Sequence, residues 1–446
     1  MPIRRWTLSL CAALAIRLAS PASLGAQAAL SGAEQRMTAY IAASREAHFA
    51  LLQQVVDIPS GTFNTGGVRQ VARVFAAAFD SLGFTTRIVE QAPALKRGPH
   101  LIAEHAGRAG AAKLLLIGHL DTVFEGDGVK FVRTDSIASG AGTNDMKGGD
   151  VAMLWALRAM QRSGELANAN IIVVMTGDEE NAGEPISESR KLLIEAAQRS
   201  DIALAFEGGN RSFATTARRG ASMWRLSVTA GQGHSGQIFR PGVSQGAIYE
   251  IARILDTFRR ELSGEENLTF NPGIIVGGTT VAFDSARISG TVAGKDNIIA
   301  PRAVAEGDLR FLSQEQLLRA REKMRAIVAQ SLPGAKAEIT FWDMYPGMPP
   351  TPGNGRMLAA YDTASRALGY GAVAPLPPAQ RGAGDVSFVA PIIEGIDGMG
   401  ALGNGAHSPN EDTNLNALQM QAARAAVTMA RLAKTTAAQW RRPALQ

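Results

Sequence analysis

Cysteine is all but missing from this chain: Cys11 is the only one in 446 residues, so no intrachain disulfide can form. Aromatic residues are sparse at 6%, histidines number six, and neither sign of charge dominates, with 45 lysines and arginines against 40 acids. There is no basic run, no platform of stacking aromatics and no G-x-x-x-x-G-K-[ST] phosphate loop, which argues against nucleic-acid binding and nucleotide hydrolysis. Collagen, heptad and solenoid periods are absent as well. What remains, 46% hydrophobic and 19% charged residues, is ordinary globular composition, long enough for two or three domains at roughly 100–200 residues each.

Residues 1–28 stand apart. Arg4 and Arg5 open the segment, an apolar stretch interrupted by Arg17 follows, and Ala26-Gln27-Ala28 forms a small-x-small site. This pattern predicts a secretory signal peptide, hence a periplasmic or secreted protein with no membrane attachment once the segment is removed. Its removal takes away three arginines and no acid, lowering the net charge from +5 to +2. Cys11 leaves with it. Any metal must then be held by histidine, aspartate and glutamate.

Three continuous apolar runs, at 114–117, 171–175 and 202–206, are separated by helical patterns. Runs of this kind predict strands buried on both faces of a mainly parallel sheet flanked by helices, an α/β catalytic domain built from 29–216 and 344–446. The stretch 217–343 reads differently. Residues 222–230 alternate, with Trp224, Leu226 and Val228 on one face. Ile248, Ile251, Leu255, Phe258 and Leu262 then mark a helical stripe. Alternating segments near 286–292 and 303–311, a helix opened by a Ser313/Gln316 capping box, and a last strand through Ala337, Ile339 and Phe341 follow. The order βαββαβ predicts an inserted α+β domain of ferredoxin-like form.

Polar residues collect in five segments: GHLDTVF (118–124), GTNDMKGG (142–149), GDEE (177–180), FEGG (206–209) and GAHSPNED (405–412). Each has a plain structural explanation when taken alone. Read singly, Asp145 is a helix cap, Asp121 the partner of a core His119, Glu179-Glu180 a solvated turn, and Glu207 and His407 loop residues. Three of the segments, however, follow apolar strands at one sheet edge, where α/β proteins bind ligands. Acids gathered there without a cation would repel one another. His119, Asp145, Glu180, Glu207 and His407 supply two imidazoles and three carboxylates, a set that suits two zinc ions per chain sharing one carboxylate, with cobalt or manganese able to substitute.

These motifs, in this order over about residues 51–418, resemble the M20 family of metallopeptidases, the group of glutamate carboxypeptidases, acetylornithine deacetylases and succinyl-diaminopimelate desuccinylases. The resemblance implies that Asp121 orients His119, that Asp145 bridges the metals, that Glu179 is the general base and that Glu180, Glu207 and His407 complete the ligands. It further implies that His234, in GHSG (233–236), reaches the partner's active site in a homodimer formed through the inserted domain. By the same resemblance Asn297 and Arg310 correspond to substrate-carboxylate binders, joined by Arg219, and Gly384 lies in a glycine-rich substrate loop. The expected substrate is a small peptide or N-acyl amino acid, and the expected reaction cleavage of an amide next to a free carboxylate. A glutamate-releasing carboxypeptidase leads, with an N-acyl-amino-acid deacylase as the alternative. A separate possibility is a serine hydrolase, because Gly242–Gly246 fits G-x-S-x-G and Ser244, Asp385 and His407 fall in triad order. Against it, Arg240-Pro241 occupies the place of the required buried strand. His48, His100 and His105 match no motif and read as structural.

Overall fold

The computed structural model describes residues 29–284 and 287–440; the signal peptide expected at 1–28 lies outside them. The apolar runs form the centre of a six-stranded sheet whose order is Thr85–Val89, His100–His105, Asn170–Thr176, Lys113–His119, Ile202–Ala205, Glu394–Ile396. Alternation along each strand explains why the runs are continuous. Leu114, Leu116, Ile171 and Val173 pack into one layer with the helices Lys147–Ser163 and Leu415–Leu432, whereas Leu115, Ile117, Ile172 and Val174 pack into the opposite layer with Lys191–Gln198.

The sheet is mainly parallel, as expected, but mixed, because one strand is reversed. His100–His105 runs antiparallel to both of its neighbours. Its flanking connections, residues 90–99 and 106–112, contain no crossover helix, and a parallel return needs a dozen or more residues.

A second, fully antiparallel sheet has the order Thr269–Gly278, Arg302–Phe311, Gly220–Ala230, Ala335–Tyr345. The helices Gly246–Leu262 and Gln314–Val328 pack against it around Trp224, Leu226, Ile254, Phe258 and Met324, a core separate from that of the first sheet. Its second strand is Thr269–Gly278, not the segment near 286–292. Ser289–Ala293 instead pairs with Thr280–Asp284 in a hairpin. Pro272 and a register shift between Pro272 and Ile274 break the alternation that would have revealed the true strand. The helical stripe is also rotated slightly, with Ala247 and Ile254 inside and Ile248 half exposed. Ser313 does cap its helix by accepting from Gln316 N–H, while the Gln316 side chain accepts from Leu312 N–H, one residue before the cap.

The chain enters this second unit near Arg218 and leaves it near Met348, and the two crossings bond to each other through reciprocal N–H to carbonyl contacts of 2.9 Å. Among the described residues no helix is long and apolar enough to cross a membrane.

His48 is structural. Its ring stacks on Trp155 with centroids 4.5 Å apart, Nδ1 lies 2.9 Å from Ser44 O, and Arg158 Nη1 lies 3.2 Å from Nε2. Burial lowers its pKa to about 4, partly opposed by the Ser44 contact and assisted by the Arg158 charge. An unfolded chain with a histidine near pKa 6.5 therefore binds the extra proton first, so stability contributed by neutral His48 is present above about pH 6.5 and is lost as pH falls toward 4. We expect this loss to be on the order of 3 kcal/mol and to disappear from the stability profile of His48→Phe, as read by denaturant midpoints between pH 7 and 4.5. An unchanged profile would assign the acid limb to other groups.

Candidate metal centre and active site

The site assembles where the parallel strands end. His119 closes Lys113–His119, Glu179 and Glu180 lie just past Asn170–Thr176, and Glu207 follows Ile202–Ala205 by two residues. Glycine lets the layers approach here: a Cβ on Gly118 would collide with Asp150, and one on Gly149 with the carbonyl of Phe206. Asp145 lies just before the helix Lys147–Ser163, whose N-cap is Met146 and has no side-chain cap bond. The capping explanation for Asp145 is thus excluded. His407 comes from the loop between the short strands Gly403–Asn404 and Asp412–Asn414, and the second of these pairs with Ile137–Ser139, bringing the loop beside Asp145.

The five residues form two triads that share Asp145. Nε2 of His119 lies 3.2 Å from Asp145 Oδ1 and 3.7 Å from Glu207 Oε1. On the other side, Nε2 of His407 lies 3.2 Å from Asp145 Oδ2 and 3.1 Å from Glu180 Oε2. Within each triad all donor atoms fall within 4.8 Å of one another. Burial lifts the Glu207 carboxyl to about 7, with the Asp145 charge adding to the effect and His119 and Arg218 opposing it. Burial also acts to raise Asp145, but hydrogen bonds from His119 and His407 hold it far below the usual carboxylate range. Those to Asp145 and Glu180 push His407 up to about 11.

Asp121 is fully buried and reaches further than its histidine. Its Oδ1 accepts from Glu179 N–H at 2.9 Å, and Oδ2 from Glu180 N–H at 3.1 Å and Thr62 Oγ1 at 2.6 Å. His119 Nδ1 lies 3.0 Å from the Asp121 carbonyl and 3.5 Å from Oδ1. One carboxylate therefore aims both glutamates while its own residue orients the imidazole. The Glu179 carbonyl accepts from Tyr345 Oη at 2.6 Å. No hydrogen bond engages the Glu179 carboxylate among the described residues, and burial, reinforced by the charge of Glu207, raises its pKa well above the ordinary value.

The remaining candidates are spread along the second sheet. Arg310 pairs in register with Thr269 and donates from Nε to Asp308 at 2.7 Å. Arg219 donates to Thr269 Oγ1 at 3.0 Å, so both arginines occupy the sheet end that adjoins the catalytic loops. Asn297 and His234 lie beyond the opposite end, where Ser235 N–H donates to the Asn297 carbonyl. The strand Gly220–Ala230 separates the two ends by roughly 30 Å at about 3.3 Å per residue. Asn297 and Arg310 of one chain accordingly do not meet on one carboxylate. Gly384 packs directly on the Arg218 guanidinium, leaving no room for a Cβ. The serine triad does not assemble: Ser244 Oγ accepts from Gly246 N–H, Asp385 is held by Arg190 and Thr176, and His407 sits between Asp145 and Glu180.

Glu411 is a residue the motifs did not single out. Buried in the same loop as His407, it accepts from Gly142, Asn144 and Asp145 N–H at 3.1, 2.7 and 2.8 Å. It thereby ties together the two loops that carry Asp145 and His407. It stands immediately before the strand Asp412–Asn414, within PNED, and its partners are main-chain atoms, so no motif marks it.

The donor set fits divalent cations. All donors are nitrogen or oxygen, each triad contains one imidazole, and Glu180 Oε1 is a buried oxygen with no hydrogen-bond partner among the described residues. Fold and donors together define an α/β metallohydrolase with room for two ions flanking Asp145. A sequence profile described as "Peptidase family M20/M25/M40" matches residues 115–432, and the chain belongs to that family of metallopeptidases. It is 26% identical over 372 residues to carboxypeptidase G2 of Pseudomonas sp. (strain RS-16), covering 80% of this chain and 82% of the relative. Its fold resembles that of the aminopeptidase PepT from Bacillus cereus ATCC 10987, with TM-score 0.69, 18% identity and coverage of 87% and 99%. It also resembles YXEP of Bacillus subtilis, a dinuclear metal-binding peptidase of the M20 family, with TM-score 0.63, 15% identity and coverage of 88% and 99%.

Asp121→Asn would set an amide N–H₂ against backbone donors. We expect it to weaken metal binding by roughly ten- to hundredfold, the usual cost of removing a group that orients ligands, as measured by metal content after dialysis against a graded chelator. Unchanged metal affinity would limit Asp121 to the fold.

Proposed function

We propose that this protein is a di-zinc exopeptidase of the carboxypeptidase type, cleaving an amide bond adjacent to a free carboxylate. The observation that carries the reading is the pair of triads sharing Asp145, with the uncommitted carboxylate of Glu179 beside one of them. His119 and Glu207 would hold one ion, Glu180 and His407 the other, and Asp145 both; cobalt or manganese fits the same donors. Bound ions would polarise the scissile carbonyl and make a water molecule acidic enough to attack near neutral pH. Glu179 takes the proton from the attacking water on its carboxylate and delivers it to the leaving amine. Asp121 keeps the Glu179 backbone fixed while this happens.

His234 belongs to the reading as a group donated to a second subunit. It is exposed and stands at the end of the second sheet away from its own chain's ligands, which supports a homodimer in which each inserted unit completes the opposite site. Arg310 and Arg219, at the near end, remain candidates for the substrate's carboxylate. Export to the periplasm or beyond rests on residues 1–28 alone.

Chelation should abolish hydrolysis, and added zinc or cobalt should restore it. Glu179→Gln is expected to keep full metal content while lowering kcat by roughly 10²–10⁴-fold, and Glu180→Gln to lose metal. Mass-spectrometric screening of dipeptides and N-acyl amino acids against the zinc-loaded enzyme separates peptidase from deacylase use. Full activity in metal-free protein, or inactivation by a serine-reactive phosphonate, would overturn the reading.

A further inference from the structure

Most arginines around the site already hold a carboxylate. Arg190 is buried between Asp178 and Asp385, Arg218 pairs with Asp397, and Arg310 is engaged by Asp308. Arg381 is different. It precedes the glycine-rich segment 382–384, and its Nη2 donates to the carbonyl of Gly208 at 2.6 Å, immediately after Glu207. No carboxylate of the chain pairs with it among the described residues, and its Nε is buried without a hydrogen-bond partner. Burial and the like charge of Arg218 push its pKa below the ordinary arginine value, while Asp397, Glu207 and Asp145 act in the opposite direction.

A second orphan lies across Gly208. The Oδ1 of Asn144, next to the shared ligand Asp145, is also buried without a partner. A Cβ placed on Gly208 would be 3.9 Å from Arg381 Nη1 and 3.7 Å from both amide atoms of Asn144, in ordinary contact with both, so guanidinium and amide flank the same face of this glycine. Glu207, next to Gly208, and Asp145, next to Asn144, are members of the two triads, which puts the space between guanidinium and amide against the candidate metal centre. The loop carrying Arg381 is itself braced, because Arg218 donates to the carbonyls of Gly382 and Ala383. With the amide turned so that Nδ2 faces the space, a guanidinium fork and an amide donor converge on one point. This is the donor arrangement a carboxylate takes.

We propose that Arg381 and Asn144 form a carboxylate-binding subsite at Gly208 that receives the free carboxylate beside the scissile amide. The inference rests on the amide-hydrolase reading and assigns substrate anchoring to the catalytic sheet rather than to the second sheet alone. A desolvated guanidinium with no carboxylate in hydrogen-bond contact gains most from an anion brought by the substrate.

The test is direct binding to the zinc-loaded protein, followed by calorimetry, with N-acetylglutamate and its diamide as probes and metal content measured on every sample. Wild type should bind the acid more tightly than the diamide. Arg381→Ala should weaken the acid by roughly ten- to hundredfold and leave both the diamide and the metal content unchanged. Arg381→Lys should recover part of the loss, because it keeps the charge without the fork, and Asn144→Ala should shift the acid in the same direction by less. Equal weakening of acid and diamide, loss of metal in Arg381→Ala, no acid preference in wild type, or abolition of that preference by Arg310→Ala alone would each overturn the subsite. Failure of the hydrolase reading would look different: the acid preference and its dependence on Arg381 would persist in an enzyme that cleaves no amide.

Discussion

A buried carboxylate that accepts backbone N–H groups dictates where a loop runs, since the loop must present its donors or leave a charge unsolvated. Two such carboxylates organise this protein, and neither belongs to the metal triads. Asp121 gathers the N–H groups of Glu179 and Glu180, and Glu411 gathers those of Gly142, Asn144 and Asp145. Because each fixes the main chain of a ligand-bearing segment, the triads acquire their spacing before any ligand side chain is considered. Four carboxylates and two imidazoles can then stand within a few ångströms of one another.

The same economy appears in how the site is walled. Arg190 lies under the catalytic loop, bonded to Asp178, Asp385 and Tyr345 Oη, and Tyr345 continues the chain of contacts to the Glu179 carbonyl. Arg218 plays a comparable part on the far side, between Asp397 and the glycine-rich loop. Both guanidiniums are buried and paired, so their value lies in placing polar main chain rather than in net electrostatic gain, which burial largely cancels. Arg190 also helps to link the two sheets, since Tyr345 ends the last strand of the second while Glu179 lies just past a strand of the first.

Much of this was legible in the sequence, for identifiable reasons. Strands buried on both faces leave continuous apolar runs, and the polar residues that follow them include His119, Glu180 and Glu207. Asp145 and His407 stood out instead through their own motifs, and the fold brings all five into the two candidate triads. The reversed strand His100–His105 could not, because strand direction depends on connection length and carries no side-chain signature. The strand Thr269–Gly278 was hidden by Pro272 and its bulge. Glu411 and Arg381 were missed for another reason: their partners are main-chain atoms, and an acid or base that serves a backbone leaves no motif. Separation of Asn297 from Arg310 is a property of the folded sheet that their shared domain does not reveal.

The paired crossings at Arg218 and Met348 carry a mechanical consequence. Two strands of chain joined by reciprocal hydrogen bonds form a pin: a rotation about their common line keeps these two bonds, whereas sliding or twisting the second sheet against the first would shear them. Tyr345 lies three residues from that pin and touches the Glu179 carbonyl. It is therefore on a short lever arm, where even a wide swing of the distal end, roughly 30 Å away, becomes a displacement of only a small part of that size at Glu179.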